Sequence, residues 1–581
     1  MATAKIVSAQ GGGLKVNVYI GVGMVLLTYD LDKSLCKNLA GFAIKCYPPR
    51  GEAFYLQNRL SFEDAQHFKG YTKDTTPQQR VWFDSIEAPF QYFRWLHVPA
   101  QLLAGTFTYE VMPMYFGPKT SLLDLKPGPS VKVEVELFSN YRPKFDVAFT
   151  RGYLSSQAYH DRFQNRDIRP KGAKAIDYDT KPFQAQYEWL GGKAHKMIFD
   201  FLKECASEGA AVKAMLYDCD HPDFIDYLAS FGGKLKVIID DAPLHHDSSG
   251  SKPEDRVAAR LDKTTNGQMV RGNYARFQHN KVLIKIVNGK AQKVITGSAN
   301  FSIRGLYAQA NNCLLIDDAR VAAQYEAYFD ASYADMQAGK SGLAVNKLPL
   351  TKEWTPYKGT GFPSFQVCLS PHADPALSLD KIETELKKAD SSVLFSIMEM
   401  DGGGTPLQML KGLPSDKGHV FHYGITQKVG KDDNEETGDY ELTKQGQNGG
   451  TVPFSYLTGK VPPPFNAEFS GGMGQIIHDK FIVIDFNSSD PVVFTGSSNL
   501  SSGGEKQNGD NLLAIYDRDI AIAYAVEAIR LFDHYNFRYA MKKATDVKPL
   551  ALQNSDAWTE AYYTTTERKC QDRLLFSAYH L

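Results

Sequence analysis

One block of sequence occurs twice in this chain of 581 residues, and both copies keep the same register. The repeated positions are His279 and His478, Lys281 and Lys480, and Asn300 and Asn499. Each residue of the second copy lies 199 positions after its counterpart, without a gap. A register kept over this length indicates two halves built on one pattern, which constrains the fold more than any other feature of the chain.

The repeated pattern pairs a histidine with a lysine and ends on a polar turn. In each half a strand with His-x-Lys is followed by a second apolar strand and then by Gly-Ser-x-Asn, which includes Ser298 or Ser497. Residues two apart on a strand project from the same face, so each histidine lies beside its lysine. Two halves about a pseudo-twofold axis would surround a tetrahedral anion, such as a phosphoryl group, with imidazoles and donors.

These residues resemble the HxK…GSxN signature of the phospholipase D superfamily over roughly residues 185 to 540. The resemblance implies an α/β fold of two pseudo-symmetric repeats. It also implies a phosphodiesterase in which one imidazole attacks phosphorus and gives a phosphohistidine, while the other transfers protons. By the usual order of the family, attack is assigned to His279 and proton transfer to His478, and the reverse order stays open.

The remaining motif residues are expected to bind the phosphoryl oxygens. Lys281, Lys480, Asn300 and Asn499 would hold these oxygens, with Ser298 and Ser497 as auxiliary donors. The motifs lack a carboxylate cluster, so we expect neither a metal ion nor another cofactor.

The two halves differ in their acidic residues. Asp510 follows Asn499 by 11 positions, whereas the equivalent position after Asn300 is Asn311. We therefore expect Asp510, or alternatively Glu505, to orient His478. His279 would then have only the amides of Asn311 and Asn312 as partners.

Asp485 follows the second His-x-Lys at the place of the family's aspartate, where the first half has Ile286. An aspartate after an apolar strand often satisfies the backbone of a turn, so structural support is the favoured role.

Composition restricts the setting without naming a substrate. The formal net charge of −1 gives no general attraction to nucleic acid or to an anionic membrane. Seven cysteines lack close pairing and metal-ligand spacing, which is typical of reduced thiols.

No secretory signal or membrane-spanning segment is evident, so a cytoplasmic location is expected, and export without a signal peptide stays open. Because both motifs lie in one chain, a monomer is expected to suffice for activity.

Periodicity predicts the domain order. Val131–Leu137 alternates apolar and charged residues, which is typical of a strand with one buried face. Later apolar strands, among them 212–217 and 235–239, alternate with helices and predict mostly parallel sheets. We predict a β-sandwich of immunoglobulin or fibronectin type (1–140), a connector (141–184), a first repeat (185–336), a linker (337–365), a second repeat (366–541) and a carboxyl-terminal extension (542–581).

Two insertions, 240–278 and 426–475, precede the motifs and bear on the substrate. The second contains an acidic stretch and then an apolar one, which disfavours a polynucleotide and favours a phospholipid or a membrane surface. Arg271, Arg276 and Arg304 lie near the first motif, where surface solvation is the simpler role and phosphate binding the alternative. The sequence thus favours hydrolysis of phospholipid head groups, with transfer to an alcohol open. A nuclease and an inert phospholipid-binding module are the alternatives.

Overall fold

The fold is taken from a computed structural model of the whole chain. It describes residues 5–63, 68–72, 75, 79–99, 104–117, 124–137, 142–152, 157–173, 176–400, 402–416, 419–428, 449–453, 476–545 and 547–577. The acidic and apolar stretches of the second insertion lie outside these residues, as does most of that insertion.

Two antiparallel sheets form the amino-terminal part of the chain. The first has the order β1-β2-β3-β8 and contains β1 (Ile6–Gly11), β2 (Leu14–Ile20), β3 (Val25–Leu31) and β8 (Arg94–His97). The second has the order β10-β9-β4-β5, with β11 also on β9, and contains β4 (Leu39–Tyr47), β5 (Phe54–Tyr55), β9 (Gly105–Phe116), β10 (Leu125–Pro127) and β11 (Val131–Leu137). A short ladder joins β6 (Gln57–Asn58) and β7 (Phe83–Asp84).

Side chains of both amino-terminal sheets share one hydrophobic cluster, which includes Val16, Ile44 and Tyr109. The strand predicted over 131–137 is confirmed, and its apolar residues are buried while its charged residues are exposed. The immunoglobulin or fibronectin type stays a prediction.

Two larger sheets carry the repeated motifs and have equivalent strand orders. The first follows β12-β18-β17-β16-β13-β14-β15 and contains β12 (Phe145–Phe149), β13 (Ala211–Leu216), β14 (Leu235–Ile239), β15 (Met269–Arg271), β16 (Val282–Val287), β17 (Lys290–Gly297) and β18 (Asn312–Ile316). The second follows β19-β20-β26-β25-β24-β21-β22-β23 and contains β19 (Thr355–Tyr357), β20 (Ser364–Leu369), β21 (Ser392–Glu399), β22 (Phe421–Lys428), β23 (Gly449–Pro453), β24 (Lys480–Ile484), β25 (Val492–Gly496) and β26 (Asn511–Tyr516).

These sheets are mixed, so the prediction of mostly parallel sheets is wrong. Only β13-β14-β15 and β21-β22-β23 pair in parallel among the described strands, and the other ladders are antiparallel. The reason lies in the motif itself, because β16 and β17, like β24 and β25, are consecutive strands joined by a short turn, which forces antiparallel pairing.

Helices cover both faces of the two larger sheets. Their bounds are α1 (Gln157–Phe163), α2 (Gln184–Ser207), α3 (Pro222–Ser230), α4 (Pro253–Thr265), α5 (Ala319–Gln337), α6 (Ala376–Lys388), α7 (Thr405–Asp416), α8 (Ser502–Gln507), α9 (Arg518–Lys543), α10 (Glu560–Tyr563) and α11 (Arg568–Ser577). Helices α5 and α9 share one cluster with the inner faces of both sheets. Helices α2, α3 and α4 cover the outer face of the first sheet, and α6 and α7 cover that of the second.

The carboxyl-terminal segment packs back on the amino-terminal sheets. Trp558 and Tyr562 belong to the cluster between those sheets. The carbonyl oxygen of Phe576 accepts hydrogen bonds from Tyr19 (2.8 Å) and Thr28 (3.0 Å). None of the described helices has the length and apolar character needed to cross a membrane.

Candidate active site

The two halves meet where the motif strands begin. Gln278 forms an isolated parallel bridge with Gly509, and Ala310 forms the equivalent bridge with Ile477. Each bridge joins the residue before one half's histidine to the segment that follows the other half's Gly-Ser-x-Asn. The bridges therefore place each histidine beside a residue that belongs to the opposite half.

His279 takes its carboxylate from the second half. Its Nδ1 lies 2.7 Å from Oδ1 of Asp510, and both side chains are buried. The expectation that His279 has only the amides Asn311 and Asn312 is therefore wrong. With Asp510 ionised, Nδ1–H donates to it and Nε2 is the nitrogen available to a substrate.

His478 takes an amide from the first half. Its Nδ1 lies 2.9 Å from Oδ1 of Asn311, whose Nδ2 donates to the carbonyl oxygen of Gly305 at 2.9 Å. The expectation that Asp510 or Glu505 orients His478 is therefore wrong. Asp510 and Asn311 are equivalent in sequence, and each bonds to the histidine of the other half. This happens because the pseudo-twofold axis places the start of β18 beside the second motif and the start of β26 beside the first.

Glu505 and Asp485 have other partners. Glu505 accepts from the hydroxyls of Ser498 and Ser378, and its Oε2 lies 3.3 Å from Nε2 of His372. Asp485 accepts from the backbone N–H groups of Ser391 (2.8 Å) and Ser392 (2.9 Å), which is the geometry of structural support.

The two motif serines hold the residues that orient the histidines. Ser298 donates to Oδ1 of Asn311 at 2.8 Å, and Ser497 donates to Oδ1 of Asp510 at 2.6 Å. Both hydroxyls also accept a backbone N–H, and both residues are fully buried. They therefore position Asn311 and Asp510 instead of facing a phosphoryl group as the sequence suggested.

The two motif lysines are buried beside their histidines. Nζ of Lys281 donates to the carbonyl oxygen of His279 (2.5 Å), and Nζ of Lys480 donates to that of His478 (2.6 Å). Burial lowers the pKa of Lys281 to about 7, although Asp510, Asp218 and Asp240 oppose the shift. Burial and Lys281 lower the pKa of Lys480 well below its ordinary value. An anion between the lysines would favour their charged forms.

Both histidines are harder to protonate than usual. Burial lowers the pKa of His279 to about 4, against the opposing effect of Asp510. Burial, Lys480, Lys281 and His279 lower the pKa of His478 well below its ordinary value. Burial raises the pKa of Asp510, but His279, Lys281 and Ser497 outweigh burial and keep it below its ordinary value.

A cavity of about 860 Å³ opens above the motifs. Its lining includes both histidines and both asparagines, His279, His478, Asn300 and Asn499. The Oδ1 atoms of the two asparagines are buried without a hydrogen-bond partner among the described residues. The structure therefore brings the predicted histidine and asparagine pairs to one cavity, with the lysines bonded beneath the histidines.

The cavity walls contain residues that sequence reasoning missed. Tyr217 packs against His279 at 4.6 Å between ring centroids, and Asp218 forms an ion pair with Arg304 at 3.0 Å. His245 and Glu254, from the first insertion, also line the cavity. Tyr217 and Asp218 directly follow β13, and polar residues at the carboxyl end of a buried strand were a signal available in the sequence.

The three arginines near the first motif differ in whether they line the cavity. Arg304 and Arg276 line the cavity, whereas Arg271 pairs with Asp241 (3.0 Å) and Asp255 (2.8 Å). Within the described part of the chain, no group of three or more His, Cys, Asp and Glu side chains is placed to hold a metal ion. That metal is not required stays a prediction.

Comparison with protein families gives one match, in two segments. Residues 186–333 and 450–532 match a family described as cardiolipin synthase, PLD-like domain. Both matched segments contain residues of the motif halves that meet at the cavity. No curated protein sequence matches the chain.

Solved structures resemble the chain at low identity. Phosphatidylserine synthase of Haemophilus influenzae Rd KW20 is 15% identical with a TM-score of 0.39, over 61% of this chain and 90% of that one. Polyphosphate kinase of Porphyromonas gingivalis is 10% identical with a TM-score of 0.37, over 59% of this chain and 48% of that one, so about half of the kinase is spanned. The phospholipase D family member Nuc of Salmonella typhimurium is 20% identical with a TM-score of 0.19, over 24% and 86%. Likeness at this level says nothing about substrate.

Proposed function

We propose that the chain is a phosphodiesterase of the phospholipase D superfamily and that it hydrolyses the head-group phosphodiester of phospholipids; the family match over residues 186–333 and 450–532 supports the reaction class. The observation that carries the proposal is the meeting of His279 and His478, from opposite halves, at one cavity that Asn300 and Asn499 also line. A lysine is bonded to the carbonyl oxygen of each histidine.

In the first step, Nε2 of His279 attacks phosphorus. A P–N bond forms while the bond to the head-group oxygen breaks, and that oxygen takes a proton from Nε2 of His478. Asp510 supports this assignment, because a carboxylate on Nδ1–H stabilises the positive charge that the ring of His279 acquires. The partner of His478 is a neutral amide, which orients the ring without holding it in the charged form.

In the second step, His478 takes a proton from water, and the water oxygen attacks phosphorus as the P–N bond breaks. The products are a phosphatidic acid and free His279. An alcohol in the place of water would give transfer. Asn300 and Asn499, which line the cavity, would hold the non-bridging oxygens, and Lys281 and Lys480, bonded beneath the histidines, would add positive charge and further donors.

The cavity walls support a lipid over a polynucleotide. Four carboxylate residues line the cavity, Asp218, Asp220, Glu254 and Glu399, against three arginines, so the lining offers no excess of arginine for the phosphates adjoining a scissile nucleotide bond. Leu244, at the same cavity, is 62% exposed and offers an apolar contact to a lipid surface. The arginines Arg169, Arg276 and Arg304 also line the cavity and keep a nuclease as the second candidate.

We also propose the setting inferred from sequence: a cytoplasmic enzyme, active as a monomer, divided into the six segments given above. The amino-terminal segment is proposed as a β-sandwich of immunoglobulin or fibronectin type.

A paired assay tests the proposal. The purified chain is incubated in excess EDTA with vesicles of phosphatidylcholine, phosphatidylethanolamine and phosphatidylglycerol, and separately with single- and double-stranded DNA. We expect head-group release that falls by several orders of magnitude in His279→Ala and in His478→Ala, because each variant loses a covalent or proton-transfer group. Cleavage of DNA alone would establish the nuclease instead. A folded His279→Ala variant with near-normal turnover would contradict the two-histidine mechanism.

A further inference from the structure

His245 and Glu254 form a polar wall of the motif cavity that the reaction above does not use. His245 belongs to the first insertion and Glu254 to the first turn of α4, and both line the cavity. Both residues are more than nine-tenths buried, at 8% and 3% exposed. A buried polar side chain at a cavity needs a partner, so these two residues require an explanation.

The ring of His245 is fixed in one orientation. Its Nδ1 lies 2.9 Å from Oδ2 of Asp240, a fully buried carboxylate that also accepts from the backbone N–H of Gln278 at 2.6 Å. The ring packs edge-on against Tyr217 at 4.3 Å, and Tyr217 in turn packs against His279. With Nδ1–H donating to Asp240, Nε2 is the ring nitrogen left for the cavity and presents a lone pair.

Glu254 presents the second acceptor. Its Oε1 receives the backbone N–H of Cys219 at 3.3 Å, and no side chain within the described part of the chain donates to its carboxylate. His245 and Glu254 line the same cavity, and no hydrogen bond or ion pair joins these two described residues. A group bound between them could contact both.

Two other carboxylates of the cavity lie near an arginine. Asp218 receives Arg304 at 3.0 Å, and Asp220 lies 3.6 Å from Arg169. No arginine pairs with Glu254 among the described residues. Burial and Asp218 raise the pKa of Glu254 to about 7, and a cation bound to it would favour its ionised form.

We propose that His245 and Glu254 bind the primary ammonium group of an ethanolamine-type head group. This inference rests on the proposed phospholipid activity and names the substrate class for the same site. A primary ammonium carries one positive charge and three donors, which suits one carboxylate and one imidazole lone pair. A choline head group has the charge without N–H donors, and a glycerol head group has donors without the charge.

Internal competition tests the proposal. Vesicles containing equal amounts of phosphatidylethanolamine, phosphatidylcholine and phosphatidylglycerol with identical acyl chains are treated with the full-length protein, and the release of each head group is followed. Because all three lipids share one surface and one enzyme sample, the ratio of release rates is independent of the active fraction. We expect ethanolamine to be released fastest.

Glu254→Gln is the principal variant, since it keeps the shape and the Oε1 acceptor but removes the charge. We expect the ethanolamine-to-choline ratio to fall about tenfold or more, the loss of one charge-assisted hydrogen bond. His245→Phe keeps the ring against Tyr217 and should lower the ethanolamine-to-choline and ethanolamine-to-glycerol ratios. His246→Ala is the matched control, because His246 is exposed and pairs with Asp255, and its ratios should equal those of the unchanged protein.

The possible outcomes distinguish failure of the ethanolamine inference from failure of the proposed phospholipid activity. An ethanolamine-to-choline ratio that is unchanged in folded Glu254→Gln, or a preference of the unchanged protein for choline, overturns the inference and leaves the phospholipid activity standing. Release of no head group, together with DNA cleavage that depends on His279, overturns both.

Discussion

Asp510 and Asn311 occupy equivalent positions in the two halves, and each orients the histidine of the opposite half. One histidine therefore has a carboxylate partner and the other an amide. This difference makes the two histidines unequal, and it supports the assignment of attack to His279.

Asp510→Asn tests this assignment. The amide cannot stabilise positive charge on His279, so we expect turnover to fall roughly 10²-fold with the fold retained. Turnover measured across a pH range and a thermal melt check the result. Asp490→Asn is the control, because Asp490 is exposed on a turn. A rate and pH profile equal to those of the unchanged protein would mean that Asp510 serves the fold alone.

Asn311→Asp tests the other half. A carboxylate on Nδ1 of His478 raises the pKa of that ring, so its protonated form persists to higher pH and the alkaline limb of the activity profile should move upward. The same change removes the hydrogen bond from Asn311 to the carbonyl oxygen of Gly305, so the melting temperature should fall. An alkaline limb that stays in place would contradict proton transfer by His478.

At the scale of elements, the residue that follows β24 stabilises the neighbouring strand. Asp485 has a positive φ of 51° and accepts from the backbone N–H groups of Ser391 and Ser392, where β21 begins. Strands β24 and β21 are antiparallel neighbours, so this one carboxylate closes the ladder that leads to His478 and Lys480.

Asp485→Ala should therefore lower stability more than activity. Losing a carboxylate that satisfies buried N–H groups, at a backbone position that alanine disfavours, should reduce the free energy of unfolding by about 1–3 kcal/mol. Denaturant unfolding measures this change, and turnover per folded molecule at low temperature should stay within a factor of about two. A loss of turnover without a loss of stability would instead give Asp485 a role in catalysis.

At the scale of the molecule, Arg94 ties three parts of the chain together. The buried guanidinium lies on β8 and pairs with Asp533 of α9 and with Asp572 of α11, the latter at 2.8 Å. The amino-terminal sheet, the central helix layer and the carboxyl-terminal helix thus meet at one cation.

Arg94→Ala should destabilise the whole molecule by about 3–5 kcal/mol, because it leaves two carboxylates without their partner. Denaturant unfolding followed by fluorescence and by circular dichroism checks this. Adding Asp572→Asn to Arg94→Ala should restore part of the loss, since one unpaired charge is then removed. Equal stability of the single variant and the unchanged protein would show that these parts hold together without the ion pairs.

The sequence by itself determined the two halves, most of their strands and helices, and the histidine and asparagine pairs that meet at the cavity. The apolar strands predicted at 212–217 and 235–239 are present as β13 and β14, because burial on both faces leaves a continuous apolar run. The resemblance to the phospholipase D superfamily is supported by the family match over residues 186–333 and 450–532. It was visible in the sequence because His-x-Lys and Gly-Ser-x-Asn in one register are local patterns.

The tertiary structure decided which residues meet. Asp510 is 32 residues from His478 in sequence and 231 from His279, yet it bonds to His279. Nearness in sequence was a poor guide here because the pseudo-twofold axis exchanges the starts of β18 and β26 between the halves. The positions of His245 and Glu254 could not be predicted either, because the sequence shows only the length of the insertion. The pairing of β15 with β14 and the packing of α4 on the first sheet place these side chains beside the motifs.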